Sequence, residues 1–83
     1  MNDQSPNTKA MIEQIAKALV DDPSQVVVDE YEDEGEMVIE VEVAESDLGK
    51  IIGRSGRTAR ALRTLLAAAG LKSNKRYALE IVE

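Results

Sequence analysis

The residues of this chain that could do chemistry on a ligand gather between positions 49 and 60. Gly53-Arg54-Ser55-Gly56 sets two glycines around two polar residues, and Arg57 and Thr58 follow directly. Glycine takes backbone angles that a side chain forbids and lets another chain come close. A helix opening at Gly56 turns free N–H groups and its positive dipole end toward whatever the loop holds, which favours a phosphate. Arg54 puts a formal charge inside the loop, and Arg57 and Arg60 stand on the first turns of that helix. The chemistry is anion binding. Arg57 and Arg60 have a plainer alternative as exposed charges paired with Asp47 or with the carboxylates upstream.

Composition removes most competing chemistries. There is no Cys and no His, hence no thiolate, no disulfide and no general base of ordinary pKa near neutrality. A Walker A loop needs G-x-x-x-x-G-K-[ST]; here Gly53 and Gly56 are followed by Arg57-Thr58, with neither the spacing nor the lysine. The acidic run Asp29–Glu36 places acids and Gly35 at calcium-loop positions if counted from Glu30. Its twelfth position is Val41 and not Glu, and strands flank it, so an EF-hand is rejected. No catalytic residue, metal ligand or cofactor is expected. The aromatics are Tyr31 and Tyr77 alone, too few for base recognition by a stacking platform.

The net charge of −6 argues against nucleic acid, but its distribution reverses the argument. Residues 1–47 carry 14 acidic and 2 basic side chains; residues 48–83 carry 8 basic and 2 acidic. Such polarity offers one positive face within a repelling surround. No apolar run approaches the roughly 20 residues that span a bilayer, and nothing reads as a signal peptide, so a cytoplasmic location is expected.

The elements that must position the loop are readable from periodicity. Residues 1–6 are polar and expected to be flexible, and residues 7–83 form a single domain. Met11, Ile12, Ile15, Ala16, Leu19 and Val20 predict a first helix over about 7–20, stopped by Asp21-Asp22-Pro23. Residues 25–32 and 37–43 predict a hairpin, the second strand alternating Met37, Ile39, Val41 and Val43 with a wetter set. Ser46 is placed to cap a short helix over 46–52, with Asp47 in its first turn. After the loop, a helix over 56–69 is expected to bury Leu62, Leu65, Leu66 and Ala69. Gly70 is its expected stop, with Leu71 folded back on it and 72–76 a basic loop. Tyr77, Leu79 and Ile81 predict a last strand. The order α-β-β-α-α-β implies a two-layer α+β domain, with a three-stranded mixed sheet and all helices on one face.

A bare GxxG is a weak pattern. Its setting here, Ile51-Ile52-Gly53-Arg54-Ser55-Gly56-Arg57-Thr58 between two helices and after a hairpin, resembles a KH domain of type II topology. The stretch Leu48–Gly70 is similar to the small bacterial KhpA-type single-KH proteins, and the resemblance extends over nearly the whole chain. It implies binding of single-stranded RNA, with the GxxG loop clamping about four nucleotides by their backbone. It also implies an RNA-chaperone role, a KhpB (Jag/EloR)-type KH partner and a link to cell-wall growth and cell length. By the same resemblance the groove runs over Gly49, Lys50, Ile52, Gly53, Arg54, Ser55, Gly56, Arg57 and Arg60. Gly49 would admit a base or sugar, Lys50 would face a phosphate, and Ile52 would lie near the groove floor.

The alternative is an adaptor whose fold mainly pairs with another protein, as a homodimer or a heterodimer. Val26, Val28, Ala78 and Val82 are expected on the sheet face away from the helices, as an exposed apolar strip suited to that role.

Overall fold

The structure is a computed structural model and describes residues 7–83; the expectation for residues 1–6 lies outside the described residues. Helix α1 (Thr8–Leu19) is followed by strands β1 (Val27–Asp33) and β2 (Glu36–Glu42), helices α2 (Leu48–Ile52) and α3 (Arg57–Ser73), and strand β3 (Tyr77–Ile81). Short 3-10 turns at Pro23–Gln25, Glu45–Asp47 and Arg54–Gly56 join them. The α-β-β-α-α-β order is therefore present. Strand β2 is central, antiparallel to β1 and parallel to β3, which makes the sheet mixed as expected.

Helix α1 begins where the Asn7 side chain accepts the Ala10 N–H at 3.1 Å, a cap that satisfies one free amide of the first turn. Ile12, Ala16 and Val20 then fall at helical spacing and are buried. They meet Ile51 of α2, Leu62 and Leu66 of α3, and one face of the sheet in a single aliphatic core. That sheet face carries Val28, Ile39, Val41 and Leu79, because the register pairs Val28 with Val41 and Ile39 with Leu79.

The same register corrects the expected apolar strip. Val26 and Val28 are buried in the core rather than exposed on the outer face. Side chains alternate along a strand, so pairing Val28 with Val41 turns it inward. The outer face instead bears rows across the three strands. Tyr31, Val38 and Ala78 form an apolar row, and Asp29, Glu40 and Glu80 form an acidic row beside it.

Two expectations about helix ends also change. Gly70 does not end α3: the helix runs through it to Ser73 and closes at Asn74, whose φ of 56° and ψ of 43° are left-handed. The Lys75 N–H returns to the Gly70 carbonyl at 2.8 Å. Gly70 is buried because the chain at Lys75 and Tyr77 doubles back against it. A Cβ there would collide with the Lys75 carbonyl and lie 3.2 Å from Tyr77 Cδ2. Leu71, expected to fold back on a helix end at Gly70, lies instead within α3 and is 87% exposed.

Leu65 is likewise 45% exposed, not core. It precedes Leu66 by one residue, about 100° around the helix, and Leu66 is the one aligned with Leu62 and Ala59. Ser46 does not cap α2 with its side chain, since it lies inside the 3-10 turn that leads into that helix.

Candidate nucleic-acid interface

The loop between α2 and α3 is built from three successive special conformations. Gly53 has φ 78° and ψ 167°, Ser55 has φ 56° and ψ 26°, and Gly56 has φ 74° and ψ 16°. Each lies at positive φ, where glycine is at ease and other residues are strained. The turn is closed by the Gly56 N–H donating to the Gly53 carbonyl at 3.0 Å, and Gly53 N–H caps α2 on the Gly49 carbonyl at 2.8 Å. The two glycines differ in what demands them. A Cβ on Gly53 would lie 2.7 Å from the Thr58 nitrogen and strike its hydroxyl, whereas a Cβ on Gly56 would meet open space.

This turn brings Arg54 and Ser55 out to solvent and starts α3 at Arg57. No side chain caps the first amides of α3, and no acid stands in its first turn. Arg54, Arg57 and Arg60 are exposed, and no described carboxylate lies within ion-pair distance of any of them. The plainer alternative for Arg57 and Arg60, pairing with Asp47 or the hairpin, is not the arrangement observed. Both instead border a shallow groove on α3 with Ala61, Thr64 and Leu65. Gly49 is exposed, with nothing within 4 Å of where its Cβ would be, and Ile52 is half-buried beside the fully buried Ile51.

Lys50 is placed differently. Its ammonium lies 3.2 Å from Asp21 Oδ2 and 3.5 Å from Asp47 Oδ1. The bond and charge of Asp21 come first, and Asp47 second, in raising its pKa. Asp47 is almost wholly buried and accepts the N–H groups of Asp21 at 3.2 Å and Asp22 at 3.0 Å. Burial pushes its pKa up, but the two amides and Lys50 outweigh that and hold it below the usual carboxylate range. Asp47 thus ties the end of α1 to the start of α2, a role with no signal in local sequence because its partners are 25 and 26 residues away.

The sheet face opposite is electrostatically closed. Asp29, Glu40 and Glu80 stand abreast, and like charges directly across strands repel. The Tyr31 hydroxyl has its pKa raised by burial first and then by Glu80, Glu40 and Asp33. This face repels a polyanion.

A family profile described as KhpA/KhpB, KH domain, matches residues 9–81. The chain belongs to this family. The RNA-binding protein KhpA of Clostridium acetobutylicum is 47% identical over 74 residues, 89% of this chain and 99% of its own length. The KhpA proteins of Aquifex aeolicus and Treponema pallidum are 52% and 51% identical over 75 and 73 residues, covering 90% and 88% of this chain and 95% and 91% of theirs. These relatives are named as binding proteins and not as enzymes, in line with the absence of a catalytic constellation from the sequence reading. Among solved structures, Aquifex aeolicus Era bound to GDP and AlF4− shares the fold at a TM-score of 0.57 and 19% identity, over 89% of this chain. The KH chain spans 29% of that Era chain. A second Era structure, in complex with MgGDPNP and nucleotides 1506–1542 of 16S ribosomal RNA, matches at the same score, with 28% of its chain covered. The α+β architecture with a three-stranded mixed sheet is that of a type II KH domain. Among the described residues, no helix is long and apolar enough to cross a membrane, and no group of three or more acidic residues is arranged to hold a metal ion.

Proposed function

We propose that this KH domain binds single-stranded RNA in the cytoplasm, holding about four nucleotides by their backbone over the loop Gly53–Gly56. The observation that carries the reading is the triplet Arg54, Arg57 and Arg60. These three arginines have no described ion-pair partner, stand at a loop whose backbone is bent into left-handed turns, and adjoin a helix end with no capping side chain. Gly49, Lys50, Ile52, Gly53, Ser55 and Gly56 complete the proposed contact surface. The relatives' name, RNA-binding protein KhpA, supports the same reading. The family resemblance extends it to an RNA-chaperone role in post-transcriptional regulation with a KhpB-type KH partner, linked to cell-wall growth and cell length.

The test is Arg54→Asp combined with Ser55→Asp. Aspartate is among the residues that tolerate the left-handed conformation of Ser55, so the fold is expected to survive. RNA gel shift should show binding abolished while thermal melting is unchanged. Unaltered affinity would overturn the loop as the RNA site.

A second reading, the adaptor, is favoured by α3. Ala61, Leu65, Ala68 and Leu71 are exposed along one side of that helix, a more coherent apolar surface than the outer sheet face. The two readings are compatible, since pairing would raise the avidity of a single small groove. Sedimentation of the chain with Ala68→Glu and Leu71→Glu, which lie outside the groove beside Arg57 and Arg60, together with an RNA gel shift, separates them.

A further inference from the structure

Lys50 lies between two carboxylates of unequal standing. Asp47 is a fixed counter-charge: its side chain is 2% exposed, and each of its oxygens already accepts a backbone amide. Asp21 is the opposite. It follows the end of α1, its side chain is 83% exposed, and its carboxylate reaches Lys50 at 3.2 Å across water-accessible space. The Lys50 side chain is 43% exposed and sits in the last turn of α2, three residues before Gly53 and next to the open surface at Gly49.

An exposed ion pair is loosely held and readily exchanged. A phosphate oxygen offers the ammonium the same charge and the same acceptor as the Asp21 carboxylate. We propose that Asp21 is an affinity-setting residue of the RNA interface, whose carboxylate occupies on Lys50 the place that a backbone phosphate takes in the complex. This rests on the RNA-binding reading above. Asp47 stays bound to Lys50 throughout, because its buried carboxylate is also held by two part-buried amides that would lose their acceptor if it moved. Asp21 is released to solvent when RNA arrives.

The exchange has a thermodynamic signature. When Lys50 trades Asp21 for phosphate, the freed carboxylate takes up a cation while the RNA loses one, so Lys50 adds little to the salt dependence. Removing the Asp21 charge leaves Lys50 as a full additional phosphate contact. The log–log salt slope then steepens by about 0.7, the single-strand value per contact.

The experiment is a fluorescence-anisotropy titration of the full chain with a short unstructured RNA at several salt concentrations, each variant being checked by thermal melting. Asp21→Asn should tighten binding about three- to fivefold, the scale of an exposed ion pair, and steepen the slope. Asp22→Asn removes the same charge one residue away, from a carboxylate occupied by the Ser24 hydroxyl at 2.6 Å rather than by Lys50. It should change affinity less than about twofold, within what an exposed charge contributes. Lys50→Gln added to Asp21→Asn should erase the gain. If Asp21→Asn binds no tighter than Asp22→Asn, or keeps its gain without Lys50, the proposal is overturned. Failure of the underlying reading looks different: the wild-type chain and the Arg54→Asp, Ser55→Asp variant would then respond alike to RNA, and both proposals would fall together.

Discussion

The backbone nitrogen of Thr58 lies 2.7 Å from the point a Cβ on Gly53 would occupy. No side chain fits there, so the close passage of α3 over the end of α2 depends on this glycine. Gly56, three residues on, has a similar φ of 74° but open space around it.

The two glycines should therefore respond differently to alanine. Gly56→Ala carries only the left-handed backbone cost, about 1–2 kcal/mol. Gly53→Ala adds a collision with backbone that cannot swing aside, for a total of about 3 kcal/mol or more. Urea denaturation of the two variants checks the order; equal losses would contradict the close approach.

Gly70 offers a test in the opposite direction to helix propensity. Alanine in a helix interior is favoured over glycine by about 1 kcal/mol. At Gly70 the new Cβ would meet the Lys75 carbonyl, and overpacking of this kind costs about 1–3 kcal/mol. Gly70→Ala is expected to lower stability by up to about 2 kcal/mol net, measured by the urea midpoint. A rise in stability would mean that the 74–77 turn shifts freely.

Asp47 links stability to pH. Its pKa is held below the usual carboxylate value in the folded state, so the unfolded chain binds the proton more tightly. Its contribution is therefore fully present above the unfolded value near 4 and is lost as pH falls through the lower folded value. Asp47→Asn should lower the melting temperature at neutral pH, on the order of 10 °C for charged hydrogen bonds in a domain of this size. It should also flatten the acid limb of a melting-temperature profile; an unchanged acid limb would remove Asp47 as its source.

RNA binding should weaken with salt, but moderately. Three phosphate contacts from Arg54, Arg57 and Arg60 give a log–log slope near −2. Affinity in the micromolar range or weaker, about −8 kcal/mol, is expected for one small groove without an aromatic platform. Amide NMR shifts centred on Gly49–Arg60 should follow an unpaired RNA and not its duplex form, because a backbone clamp of about four nucleotides does not fit two phosphate rails. A slope near zero or an equal response to duplex would contradict the groove.

The amino-acid sequence by itself determined the element order and the loop. Period-two alternation from Met37 to Val43, helical spacing from Met11 to Val20, and Gly53-Arg54-Ser55-Gly56 between two apolar segments are local signals. They read correctly because backbone periodicity and glycine conformation are local physics. Tertiary structure decided which face each residue took. Val28 turned inward because strand register sets facing, and register is a pairing between distant segments. Gly70 stayed inside α3 because a chain five residues downstream packs on it, and a close approach leaves no mark on helical periodicity. Lys50 reads from sequence as a free cation. Asp47 is a local partner three residues before it, but only the fold brings Asp21 to it, because the end of α1 meets α2 across a hairpin that the chain must first complete.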